Sequence, residues 1–204
     1  PPAAPPYPPL PWTYEFVFSA LRPWTPAAAE VQISEVRLFG ESGERLDIVE
    51  ASNPGGYPGP GEAGQDKTAM AAVDGTDTTK WLDINATAMA IGAASASAAA
   101  ATSIPISSRL QLTLDRPAIV VQYELVTAND NPGRDPIEWA FGIRHSDADG
   151  GGFELLSTAA VDPPLERYSS YGRLPAVSPP SPPTAPPPPA PPPAPPSPPS
   201  PPRP

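Results

Sequence analysis

The chain has 204 residues, 37 of them proline, a net charge of −10 and no cysteine. Without cysteine there is no disulfide framework, thiol nucleophile or thiolate metal site, and so acidic a chain attracts neither nucleic acid nor an anionic membrane surface. With the proline-crowded ends set aside, about 165 residues remain, enough for one domain with its own core.

No run approaches 18 uninterrupted apolar residues, so no membrane span is expected. The sequence opens on proline, as a mature chain or an excised piece would, with any signal peptide lying outside it. Residues 1–11 (PPAAPPYPPLP) are expected to form a polyproline II lead-in, because proline fixes φ and lacks the amide donor. From Trp12 to Ser19 the chain alternates, with Trp12, Tyr14, Phe16 and Phe18 on one face. Period two with aromatics predicts a half-buried strand. Val31 to Phe39 predicts a second strand, whose apolar phase slips near Ser34 and Glu35 as at a bulge. Gly40 to Gly43 then reads as a hairpin turn and Arg45 to Val49 as the returning strand. Residues 52–66 (SNPGGYPGPGEAGQD) hold too much glycine and proline for regular structure.

Asp74-Gly-Thr-Asp-Thr-Thr-Lys-Trp-Leu-Asp83 packs carboxylates, threonine hydroxyls and a tryptophan into ten residues. Oxygen ligands on a tight loop suit a hard cation such as calcium. The same residues also suit a turn closed by Asx and threonine hydrogen bonds and leading to a buried Trp81. Residues 86–103 are mostly Ala and Ser, and with no large apolar face they read as a low-complexity insertion. Asn85-Ala-Thr87 at its start is an N-glycosylation acceptor in a secreted chain.

Strands are expected again over Leu110–Leu114 and Ile119–Val126, followed by a polar loop, Thr127–Pro136 (TANDNPGRDP). Trp139–Arg144 alternates as a core-facing strand, Phe153–Leu156 completes a hairpin across a turn at 147–152, and Tyr168–Leu174 is the closing strand. Seven or eight short strands with little helix predict an antiparallel sandwich. His145, the one histidine, stands beside Ser146 and Asp147. Three neighbours in sequence cannot converge as a catalytic triad, so no enzyme is expected. The segment 179–204 has 18 prolines among 26 residues. As polyproline II it would be a rod of about 80 Å.

The series VQISEVRLFGESGERLDI, ASNPGG, AVDGTDTTKWLD, YELVTANDNPGRDPIEW and ERYSSYG resembles the galactose-binding-like family, the discoidin or coagulation factor 5/8 C-type β-sandwich. It is similar above all to the extracellular subgroup bearing DGDTSTKWLD and TANDxPxRDPxxW, over roughly residues 12–177. The resemblance implies a jelly-roll sandwich over 12–177, flanked by 1–11 and 178–204. It also implies a structural calcium held by Asp74, Asp77 and Thr79, although Thr76 stands where the subgroup shows aspartate. No other cofactor is expected. In a glycan-binding reading Asn129 and Arg134 grip sugar hydroxyls while Tyr57 stacks on the ring. In a structural reading Arg134 makes a bidentate pair with a carboxylate and pins the loop.

The Ser-Pro-Pro runs of the tail resemble those of hydroxyproline-rich glycoproteins of green algae and plants, including volvocine cell-wall, matrix and flagellar-surface fibre proteins. The two resemblances together imply a non-enzymatic structural or adhesive module outside the cell. Its partners would be other chains of a fibre or matrix, its own copies included, with O-glycans on the tail. The alternative is a lectin-like module on a proline-rich linker.

Overall fold

The computed structural model describes residues 12–24, 30–59, 67–86, 104–145 and 152–177, so the expectations for 1–11, for 60–66 of the loop 52–66, for 87–103, for 147–151 of the turn 147–152 and for 178–204 lie outside the described residues. The described chain is all-β, with antiparallel sheets and only two short 3-10 turns. Its strands are β1 (Thr13–Leu21), β2 (Val31–Ile33), β3 (Glu35–Phe39), β4 (Arg45–Leu46), β5 (Ile48–Ser52), β6 (Trp81–Asp83), β7 (Ile104–Leu114), β8 (Gln122–Val126), β9 (Pro136–His145), β10 (Gly152–Ala160) and β11 (Leu174–Pro175). They form a five-stranded sheet in the order β10-β9-β1-β7-β5, a four-stranded sheet β11-β8-β3-β4, and the pair β2-β6.

The alternation of β1 places Tyr14, Phe16 and Phe18 in a core shared with Val36 and Leu38 of β3, Tyr123 and Leu125 of β8, and Trp139 and Phe141 of β9. The two larger sheets therefore face each other across aromatic side chains. The Tyr123 ring meets Phe16 edge-on at 5.1 Å and Phe141 at 4.8 Å, and Trp139 Nε1 donates to Tyr123 Oη at 2.9 Å. That bond satisfies two polar groups that burial would otherwise penalise. Trp12 departs from the expected pattern: it precedes the first paired residue of β1, and it is 51% exposed. On the opposite face of β1, Glu15 is buried between Arg109 and Arg144, its oxygens 3.8 and 3.7 Å from their nitrogens.

The predicted second strand is two strands in two sheets. β2 pairs with β6, β3 pairs with β8, and buried Ser34 sits at the switch. The Ser34 hydroxyl donates to the carbonyls of Asp77 and Thr79, the latter at 3.0 Å. The hairpin at Gly40–Gly43 is as expected, closed by Gly43 N to Gly40 O at 2.9 Å. Its returning strand is cut at Asp47, after which β5 joins the other sheet against β7. β7 and β10 run longer than expected. The closing strand shrinks to β11, plus a bridge from Ser170 to Val126, because Tyr168 adopts φ 59° and breaks the extended course.

The two ends of this body differ in what they carry. Trp12 O accepts from Leu114 N at 2.8 Å, and Ala176 N donates to Val121 O at 2.9 Å. The described chain thus begins and finishes at the same end, beside residues 114–121. The loops after β1, β8 and β10 lie at the other end, where Arg22 N donates to Asp135 O at 3.0 Å and Thr127 N to Ser169 O at 2.9 Å.

Candidate functional site

The Asp74 loop follows a 3-10 turn, Ala69–Ala72. Gly75 takes φ 80°, where a side chain would be strained. Asp74 Oδ1 accepts from Thr76 N at 2.8 Å and from Thr79 Oγ1 at 2.9 Å, an Asx turn of the kind the residues suggest. The loop ends in buried Trp81, whose ring lies 5.8 Å from Phe18. Of the three expected calcium ligands, Asp74 and Thr79 touch, while the Asp77 carboxylate turns to the Arg37 guanidinium. Calcium needs six or more oxygens. Among the described residues no three Asp, Glu or His side chains converge on one point. In this structure Asp77 serves Arg37, and the turn closes through its own hydrogen bonds.

The polar loop 127–135 is the centre of a larger network. Asn131 (φ 27°) caps the 3-10 turn Pro132–Arg134 by accepting from Gly133 N at 3.1 Å. Next to it, fully buried Asp135 takes a bidentate pair from Arg167, at 3.0 and 2.6 Å, and Arg167 also donates to Asp130 O at 2.9 Å. Burial pushes the Asp135 carboxyl up despite Arg167. Burial likewise pushes the Asp130 carboxyl up, but the Lys80 ammonium at 2.8 Å and Arg134 outweigh it and hold the group below its ordinary value. Lys80 is itself pulled down by burial, and its Nζ also donates to Gln32 Oε1 at 3.1 Å. The pinning arginine is therefore Arg167, not Arg134: Arg167 holds Asp135, the residue just before β9, whereas Arg134 points to Glu30 and, at 3.6 Å, to Asp130.

Two concave surfaces stand out among the described residues. A groove of about 440 Å³ at the loop end is lined by Arg22, Pro23, Trp24, Ile137, Val161, Asp162 and Leu165. A smaller one, of about 210 Å³, includes Asn53, Pro58 and Trp81 in its lining. The Asn53 amide oxygen and nitrogen and Trp81 Nε1 are buried there without a hydrogen-bond partner.

No family of proteins, characterised protein or solved structure matches the chain. What it does must be read from its own residues.

The structure separates the three expected glycan contacts. Asn129 and Arg134 share the loop end, Asn129 exposed and Arg134 paired. Exposed Tyr57 is anchored elsewhere, its N donating to Asp83 Oδ1 at 3.0 Å and its carbonyl accepting from Ile84 N at 2.9 Å. Asn85 is exposed, its backbone N held by Asp83 Oδ1 at 2.9 Å. His145 Nε2 lies 2.9 Å from Glu154 Oε2 on neighbouring strands, while Ser146 and Asp147 are outside the described residues. Sequence reasoning missed Arg167, Lys80, Gln32, Trp24 and Asn53 as site residues. The one available signal was their company: Lys80 and Arg167 stand inside motif segments already singled out, KWLD and ERYSSYG.

Proposed function

We propose that this chain is a non-enzymatic structural and adhesive module of an extracellular hydroxyproline-rich glycoprotein, a galactose-binding-like jelly-roll sandwich carrying proline-rich rods. The observation that supports this most is the position of Trp12 and Val177. Both proline-rich segments adjoin the body at one end, which leaves the opposite end, with its groove and its ordered loops, free to meet another chain. The rods set spacing and carry O-glycans, the body docks in a fibre, wall, matrix or flagellar surface, and Asn85 stands exposed where an N-glycan would sit. Segments preordered as polyproline II lose little entropy on side-by-side packing, which suits assembly. Mass spectrometry of native material is the test. Hydroxyproline and pentose or hexose on residues 178–204 are expected; a bare tail would overturn the reading.

A second reading, a carbohydrate-binding module, draws support from the Asn53 amide and Trp81 Nε1, two donors and an acceptor buried without a partner on residues that line the smaller pocket. A pair of sugar hydroxyls would complement them. Binding of a glycan panel that Asn53→Ala abolishes would favour it.

A further inference from the structure

The groove at the loop end is built around an exposed aromatic. Trp24 is 42% exposed and its Cβ rests on Gly133, where an added methyl would come within 2.6 Å. Ile137 and Val161 line the groove and exposed Leu165 completes its apolar wall. Arg22 and Asp162 pair at 3.2 Å on its rim, and the Asp162 carboxylate stands almost wholly in water. A tryptophan face beside apolar walls has the chemistry that receives polyproline II: proline rings lie on the indole, and the water-exposed Asp162 carboxylate, which Arg22 touches at 3.2 Å, can also meet a flanking cation.

We propose that this groove takes residues 198–204 of a second copy of the chain, so that copies join head to tail. The proposal rests on the structural reading above and names the contact by which the fibre would grow.

The segment's own pattern fits the groove. Polyproline II has three residues per turn. In that form Pro198-Pro-Ser-Pro-Pro-Arg-Pro204 would put Ser200 and Arg203 on one edge, Pro198, Pro201 and Pro204 on a second, and Pro199 and Pro202 on the third. The proline edges meet Trp24 and Leu165, and the remaining edge, which carries Ser200 and Arg203, lies along the rim that bears Asp162. Arg203 is the single charge of residues 178–204 in a chain of net charge −10, and Asp162 is the acid on the groove's rim.

The direction of the chain makes the donor a second copy. β11 runs antiparallel to β8, from the bridge at Ser170–Val126 toward Ala176 at Val121, and so away from the groove. Val177 is therefore at the far end of the body. To reach its own groove, a segment leaving Val177 would have to return along the whole length of the body. A neighbour's segment has no such return to make. Groove on one copy and rod on the next make a heterologous contact that does not close on itself, the geometry of a filament.

The test uses the full-length chain and a synthetic peptide of residues 190–204. At dilutions where the chain is a single copy, the peptide is expected to shift tryptophan emission to the blue as Trp24 leaves water. At higher concentration the chain's mass in sedimentation should grow, and excess peptide should return it to one copy. Trp24→Ala should weaken peptide binding on the order of 30-fold, as loss of an aromatic anchor does. Leu165→Asp, at an exposed position, gives the same loss should Trp24→Ala unsettle the loop. Asp162→Lys and Arg203→Glu should each weaken self-association roughly two- to fivefold, and together restore it. A peptide that does not bind, or that binds Trp24→Ala as well as the native chain, overturns the proposal. Assemblies that form but ignore the peptide overturn it while the structural reading stands; a chain that stays single at all concentrations and whose native tail is bare overturns both.

Discussion

The end of the body where the described chain starts and finishes is held by neutral bonds; the loop end is held by charge. At the first, the Tyr14 hydroxyl donates to Ala118 O at 2.7 Å and accepts from Val120 N at 3.1 Å, and backbone pairs tie Trp12 and Ala176 to the same stretch. At the second, the Asp135–Arg167 pair is drawn into the protein, buried Lys80 reaches a half-exposed Asp130, and both non-glycine residues with positive φ among those described, Asn131 and Tyr168, lie close by. Neutral bonds hold through any ordinary change of pH. Buried ion pairs add little net stability, because desolvation offsets their attraction, but breaking one is costly and their geometry is specific. The first end, where the described chain starts and finishes, is thus insensitive to pH, and the second is a shaped surface whose form depends on a few pairs.

The largest effect should come from breaking that second end. Arg167→Ala leaves the Asp135 carboxylate buried without its partner, at a cost of about 3–5 kcal/mol in denaturant unfolding at neutral pH. The pH dependence gives the mechanism. Burial already raises the Asp135 pKa above its unfolded value, and removing Arg167 raises it further. A raised carboxyl pKa favours the fold below that pKa and weakens it as pH rises through it. The variant's deficit should therefore be greatest near pH 7.5 and shrink near pH 4.5. A deficit independent of pH would mean that the charge is not what holds the loop.

Tyr14→Phe is the matching cut at the first end. It removes one hydroxyl and leaves a buried amide of Val120 and a carbonyl of Ala118 unpaired, about 1–3 kcal/mol. Because burial raises the Tyr14 pKa above its ordinary value, the hydroxyl stays protonated at any working pH. The loss should be flat between pH 4.5 and 7.5, in contrast to Arg167→Ala. Ser34→Ala, at the switch between sheets, takes a single donor from two carbonyls and should cost about 1–2 kcal/mol with the same flat profile.

These positions also show what sequence could and could not reveal. The period of two in Tyr14-Glu-Phe-Val-Phe18 is local, and it identified β1 and its core face. The slip at Ser34 was visible, but not its meaning, because whether a kinked strand stays in its sheet depends on partners some 50 and 90 positions away, β6 and β8. Trp12 and Trp24 look alike as residues next to prolines. Their exposure is set by where pairing of β1 begins and by the turn holding Gly133, neither of which is written nearby. The Asp74 turn was legible because its bonds span only two to five residues. The Asp135–Arg167 pair spans 32, and nothing local chooses Arg167 over Arg134.

That choice gives the smallest predicted effect and the sharpest contrast. Arg134 adjoins Asp135 in sequence and is the residue the motif brings forward, yet its partners, Glu30 and Asp130, are partly in water. Such pairs are worth at most about 1 kcal/mol and are screened by salt. Arg134→Ala should therefore lower stability by less than about 1 kcal/mol, and by still less in 0.5 M salt. Asp130 keeps its Lys80 bond in this variant, so its carboxyl should stay below its ordinary value, with a smaller margin. A carboxyl held down stabilises the fold above its unfolded pKa and loses that contribution as pH falls through the folded one. The slight Arg134→Ala deficit should thus fade in acid, as the Arg167→Ala deficit does, but at a fraction of its size. Equal losses for the two variants would show that the loop end is held by its total positive charge rather than by one buried bidentate pair.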